Sequence, residues 1–265
     1  MSEQLQSDFD KIVKTTKISK EEIQAKKDFL NKFIESGFPN RKQEDWKFLD
    51  ISQIIKRNIS DLSFFNDYSK PNKIDSSIFI DGLEHNKIIF INGRIEKIDF
   101  NYEDQGKIEI NDETRKDISF DYENSLIDLN SAFTHKVFKI FVKKDYSLKK
   151  PLIIYHSTND KIKLTNINLR LDFELGENSC LKLIDFFADK TAKNFINIFY
   201  NFNLEKDAIL KNYKIDKFRN DNLKYFFNNI EQGNNSVSET FILSAGSDYL
   251  KNEINCNLNG EHSSA

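Results

Sequence analysis

The chain has 265 residues, with 39 basic and 42 acidic side chains and a net charge of −3, so charge is plentiful and balanced. That balance supplies no bulk attraction to nucleic acid or to an anionic membrane. No apolar run approaches the ~18 to 20 residues a membrane span needs.

The length allows one large domain, or a small and a medium one, with a substantial core. The first residues, MSEQLQSDFDKIVKTTKISK, are polar and contain no apolar leader segment. Cys180 and Cys256, the only cysteines, are too few and too isolated for a disulfide scaffold. These features predict a soluble, unsecreted, cytoplasmic protein with no nucleic-acid or membrane partner.

In chain order, the first predicted element is a helix opened by the capping pattern Ser19-Lys20-Glu21-Glu22. It is carried by Ile23, Leu30, Phe33 and Ile34 and stopped at Gly37. The segment Phe38 to Ile51 follows, with the only tryptophan, Trp46, set among side chains of both signs. Trp46 and Phe48 supply large apolar surface, and the segment reads as an anchor that seats a helical region against the first part of the following structure. A shorter helix is predicted over Trp46 to Ile55, where Trp46, Leu49 and Ile54 share a face. Residues 1–75 thus form the predicted N-terminal helical region.

From about Ile78 the hydrophobic period changes to two. The alternating or apolar runs are 88–91, 137–142, 152–155, 167–175, 196–204 and 254–258, and residues 76–265 are predicted to be strands without a helical interruption. Aligned turn-proximal segments place apolar residues at Leu148, Leu175, Leu204, Ile230 and Leu258. This near-constant repeat points to a solenoid and, with two-residue alternation inside it, to a parallel β-helix with two strands and two turns per coil. An antiparallel sandwich or barrel fits the alternation as well. The last repeat reaches its turn at Asn259-Gly260 and stops where a further strand would begin. The expected protein is therefore mainly β, an incomplete β-helix behind a small α-helical region, and an N-terminal fragment of a longer chain.

Site motifs are sparse. Two cysteines without a Cys-x-x-Cys do not make an iron–sulfur ligand set. Cys256 falls in phase with Ile254 and Leu258 and should face the core, whereas Cys180 follows the turn Gly176 to Ser179 and should be more exposed. His85, His135, His156 and His262 show no paired ligand spacing and read as surface or structural residues. His262 carries more weight as a candidate because it sits in a turn beside Glu261, near Cys256. There is no phosphate-binding Gly-rich loop, no Gly-x-Ser-x-Gly elbow and no distinctive carboxylate pair. No catalytic, cofactor-binding or metal-ligating residue is assigned.

The run from Pro39 to Phe48, PNRKQEDWKF, resembles the proline, paired-basic, Glu-Asp-Trp-Lys-aromatic motif near the N-terminus of the SufD branch of the SufB/SufD family, which acts in iron–sulfur cluster assembly. Ile88 to Arg94, ending in Asn-Gly-Arg, is similar to the strand that opens that family's core. Asp128 to Phe133, Lys139 to Val142 and Pro151 to His156 are similar to segments that follow it in the same order.

The resemblance implies an N-terminal helical region, a right-handed parallel β-helix and a C-terminal helical region. It further implies a non-catalytic scaffold subunit that pairs with a SufB-like paralogue and a SufC-like ATPase. By this resemblance the fragment alone binds no cofactor, an iron–sulfur cluster and a flavin belong to the assembled complex, and the partner-binding residues lie outside this sequence. The alternative from the residues is a carbohydrate-active β-helix enzyme of the pectate-lyase type.

Overall fold

A computed structural model describes residues 2–16, 18–59, 61–67, 70–113, 124–159, 161–188, 193–216, 220–245 and 247–265. Helix α1 (Ser2–Thr15) comes first and was not predicted from the sequence; its buried stripe is only Leu5, Phe9 and Ile12. Its buried Asp8 accepts a hydrogen bond from the backbone N–H of Phe64 at 2.9 Å, which ties the helix to the later chain.

Helix α2 (Lys20–Ser36) begins and ends where the sequence predicts. Ser19 accepts from the Glu22 N–H, and Gly37 closes the helix with φ 68°. The predicted helix over Trp46 to Ile55 starts later. Glu44–Trp46 form a single 3-10 turn, and α3 (Ile51–Asn58) opens at Asp50, whose carboxylate accepts from the Gln53 N–H at 3.0 Å.

Twelve strands follow among the described residues: β1 (Asn86–Ile91), β2 (Arg94–Asp99), β3 (Ile108–Glu113), β4 (Val137–Val142), β5 (Leu152–Ser157), β6 (Asn166–Leu175), β7 (Cys180–Phe187), β8 (Phe195–Leu204), β9 (Ile209–Asp216), β10 (Asn220–Gln232), β11 (Val237–Ser244) and β12 (Ser247–Leu258). Successive strands from β4 onward fall alternately into two sheets, ordered β11-β9-β7-β5-β1-β2 and β12-β10-β8-β6-β4-β3. The rungs are parallel, and the result is a β-solenoid of about four turns.

The first coil is capped by antiparallel strands, β2 on β1 and β3 on β4. The β1–β2 turn is Asn92-Gly93 with φ of 53° and 78°, the backbone that makes Asn-Gly favourable in a two-residue hairpin.

The expectation of an uninterrupted strand region is corrected by α4 (Ser125–Phe133). This helix is buried nearly all round, between α2 and the outer faces of β6 and β8, so its sequence SLIDLNSAF lacks a polar face to mark it. With α1, α2, α3 and Trp46 it covers Phe195, Phe199, Leu223, Tyr225 and Phe227 on the outside of one sheet. A second outer cluster, built on Ile78, packs over Ile89, Ile153 and Tyr155 of the other.

The repeat alignment is right in part. Leu175, Leu204 and Leu258 do stack, but Leu148 and Ile230 do not belong to that column, whose members there are Val142 and Gln232. Gln232 faces inward and donates to the Ser264 carbonyl at 2.8 Å, a polar role that a search for apolar positions passes over.

The turns repeat more regularly than the strands. Asp145, Asn178, Asp207, Asn235 and His262 all adopt φ between 56° and 59°. Each of the first four sends its N–H to a carbonyl in the next coil's turn, at 2.8 to 3.0 Å. Asn178 also donates to Asp145, and Asn235 to Asp207, at 2.8 and 2.9 Å. Asp and Asn tolerate this left-handed backbone best after glycine, which explains their use there.

Close stacking also fixes Gly176: a Cβ on it would lie 2.6 Å from the Lys144 nitrogen. Gly176→Ala is expected to destabilise the chain by about 1–3 kcal/mol through overpacking. Urea unfolding followed by circular dichroism measures this, and an unchanged midpoint would mean that the turns are not rigidly stacked.

Candidate functional site

Alternate residues of each strand face the solenoid interior. In the early coils these are apolar, with Ile88, Phe90, Leu152, Ile154, Leu171 and Phe173 all buried in one core. Towards the later coils the same positions become charged. Asp185 of β7 and Lys214 of β9 are register partners, and the Lys214 ammonium donates to Asp185 Oδ2 at 2.8 Å. The other carboxylate oxygen lies 3.2 Å from His156 Nε2, whose ring stacks between Phe90 and Phe187. The Lys214 ammonium also lies 3.4 Å from the Tyr200 ring centroid. A second pair, Lys224 with Asp216 at 3.0 Å, follows, and Ser247 donates to the same carboxylate.

Asp185 and Lys224 are both 0% exposed, so neither charge is solvated by bulk water. Burial alone pushes the Asp185 carboxyl up, but Lys214 and His156 outweigh it and hold it below the ordinary carboxylate range. Burial, reinforced by Asp185, pushes the Tyr200 phenol well above its ordinary value. The cluster therefore holds fixed charge inside the fold. It lacks the exposed nucleophile and base that covalent catalysis would require.

The outermost strands β11 and β12 have no further full strand beside them among the described residues. The chain turns at Gly260, and Ser264 forms a parallel bridge to Val237. Around this end Phe241, Leu243, Ile254 and Leu258 are exposed, and Ile254 and Leu258 are interior-facing positions of the last coil.

Trp46 is buried at 5% exposure, but the expectation that it seats on the first coil is corrected. It packs against Tyr225 of β10 at 5.5 Å and under the Lys251 ammonium of β12 at 4.3 Å, and that ammonium donates to the Asp45 carbonyl at 2.6 Å. Its neighbour Phe48 is 87% exposed and adds nothing to that core.

Cys256 packs partly buried against the interior core, as its phase indicates, and burial pushes its thiol pKa up. Cys180 is half-buried, and both thiols are free. His262 occupies the left-handed position shared by the five turns, a backbone role that accounts for its place beside Glu261. His85 is buried against Tyr155, with Nε2 2.9 Å from the phenol oxygen. His156, read from sequence as surface or structural, is the one histidine brought into the interior charge cluster. Asp185, Lys214, Asp216 and Lys224 were not singled out. The available signal was their place at inward positions of strands, and those strands could be found only through the stacking. Among the described residues no three His, Cys, Asp or Glu side chains group so as to hold a metal ion, and no helix is long and apolar enough to cross a membrane.

Fold and site together define a parallel β-solenoid whose interior is apolar in the early coils and holds buried charge pairs in the later ones, under a helical outer layer. Residues 156–265 match the SufBD core domain of the SUF system of FeS cluster assembly. Over 242 residues the chain is 23% identical to the iron–sulfur cluster assembly protein SufD of Escherichia coli (strain K12), a match covering 88% of this chain and 55% of that protein. The chain thus spans about half the length of the curated relative it matches.

Proposed function

We propose that this chain is the solenoid part of a non-catalytic scaffold subunit in a cytoplasmic iron–sulfur cluster assembly complex, with a SufB-like paralogue and a SufC-like ATPase as its partners. The observation that carries the reading is the SufBD core match over residues 156–265, the stretch that includes strands β6 to β12. Stacked parallel rungs with interlocked turns make a stiff rod, suited to holding two partners at a fixed separation. In this reading the cluster is cargo of the whole assembly, and any flavin is held there as well, not by this chain alone. The carbohydrate-active alternative gains nothing from the matches, and the interior carboxylates Asp185 and Asp216 are closed off from a polymer.

Co-expression of the full-length gene with SufB and SufC from the same genome tests the proposal. A stable complex that co-purifies through a tag on any one subunit is expected. Separate elution of all three would overturn it.

A further inference from the structure

The β1–β2 hairpin turn borders a cleft of about 260 Å³, just below the range of drug-sized ligand pockets and enough for a smaller molecule. Its charged wall comes from Arg94 of β2, Asp112 of β3, and His135 and Lys136 just ahead of β4. We propose that this cleft binds a small organic anion, a phosphate or carboxylate group carried on an apolar ring. The inference does not depend on the scaffold reading.

Arg94 provides the anchor. Its Nη1 is buried and makes no hydrogen bond. The neighbouring carboxylate oxygen, Glu96 Oε1, is 3.8 Å away and already accepts from the backbone N–H and the side-chain amide of Asn72, at 3.0 and 2.8 Å. A buried guanidinium N–H is normally satisfied, and its fork matches phosphate and carboxylate oxygens alike.

Lys136 adds a second cation, paired with Asp112, the acid in the cleft wall. Burial, then Lys136, Lys26 of α2 and Arg94, hold the His135 imidazole below its ordinary pKa against the opposing pull of Asp112. An anion bound among these groups relieves that repulsion.

The remaining wall fixes the rest of the ligand. Ile95, Phe138 and Leu169 supply an apolar side that suits a flat ring. Asn168 also lines the cleft and is buried. Its amide is oriented by donation from Nδ2 to Asn166 Oδ1 at 2.7 Å, which leaves Oδ1 as an acceptor with no hydrogen-bond partner.

The test is titration calorimetry of the chain with phenyl phosphate, benzoate, inorganic phosphate and benzyl alcohol, alongside NMR titration of the His135 ring. Phenyl phosphate or benzoate should bind, and inorganic phosphate and benzyl alcohol should bind about tenfold more weakly or worse, because each lacks one half of the recognition. The stronger of the two ring anions identifies the natural group as phosphate or carboxylate. Arg94→Gln should weaken the better ligand by about tenfold or more, the loss expected for a charge-assisted hydrogen bond. Arg94→Lys should fall between it and the wild type, and Lys136→Met, at an exposed position, gives an independent reading if the Arg94 variants fold poorly. Bound anion should raise the His135 pKa. Equal binding of benzyl alcohol, saturation by no ring anion, or full affinity in folded Arg94→Gln would each overturn the proposal.

Discussion

Asp185→Ala is expected to lower the unfolding free energy by about 3–5 kcal/mol, the cost of leaving a buried counter-charge unpaired. Against a typical total of about 5–15 kcal/mol, a loss of that size brings the chain close to unfolding at room temperature. The physical cause is specific. Lys214 is held by Asp185 at 2.8 Å with its side chain only 2% exposed, so removing the carboxylate strands an ammonium inside the solenoid. The double variant Asp185→Leu with Lys214→Met should recover most of the loss, because it removes both charges and keeps the volume. Urea unfolding of the three variants decides the matter. A single-variant loss under about 1 kcal/mol would show that the interior charges do not hold these coils together.

The same residue sets an acid limit. Its folded-state pKa lies below the unfolded value of 3.8, so its contribution is fully present above that value and is lost as the pH falls through the lower, folded pKa. Asp185→Asn should flatten that part of the pH dependence, measured as the urea midpoint at a series of acidic pH values.

Trp46→Ala is expected to cost about 3–5 kcal/mol, as for other buried tryptophans truncated in a core. The side chain leaves its place between Tyr225 and the Lys251 ammonium, so two late strands lose their tie to the helical layer at once. Phe48→Ala, two residues on and almost fully exposed, should change stability by no more than about 0.5 kcal/mol. Because Trp46 is the only tryptophan, its fluorescence reports on helical docking alone. In the wild type the fluorescence and far-ultraviolet dichroism transitions should coincide. A fluorescence change well before the loss of strand signal would mean that the helical layer detaches first.

The strands readable from sequence are those with apolar residues facing inward. In β6, Ile167, Leu169, Leu171, Phe173 and Leu175 alternate without a break, and all five are buried in the interior core. In β9 the inward set is Leu210, Asn212, Lys214 and Asp216, while Tyr213 lies outside and Ile215 packs into the outer cluster. The hydrophobic alternation is therefore scrambled where the interior becomes charged. The residues of the candidate site hide the strand that carries them. α4 was missed for the converse reason, since a helix buried on all sides shows no amphipathic stripe.

Sequence alone determined the class of fold, the α2 caps and the family resemblance, because capping, period-two patterning and a tryptophan motif are local and survive without knowledge of what lies opposite. It did not determine the register of the repeat, the seat of Trp46 or the partnership of His156, Asp185 and Lys214. The register and the charge cluster depend on residues about 29 positions apart meeting across neighbouring coils, as in the 29-residue separations of His156 from Asp185 and of Asp185 from Lys214. The seat of Trp46 depends on β10 and β12, far later in the chain. Whether an inward charge is paired or stranded is decided only when the coils stack and water is excluded from between them.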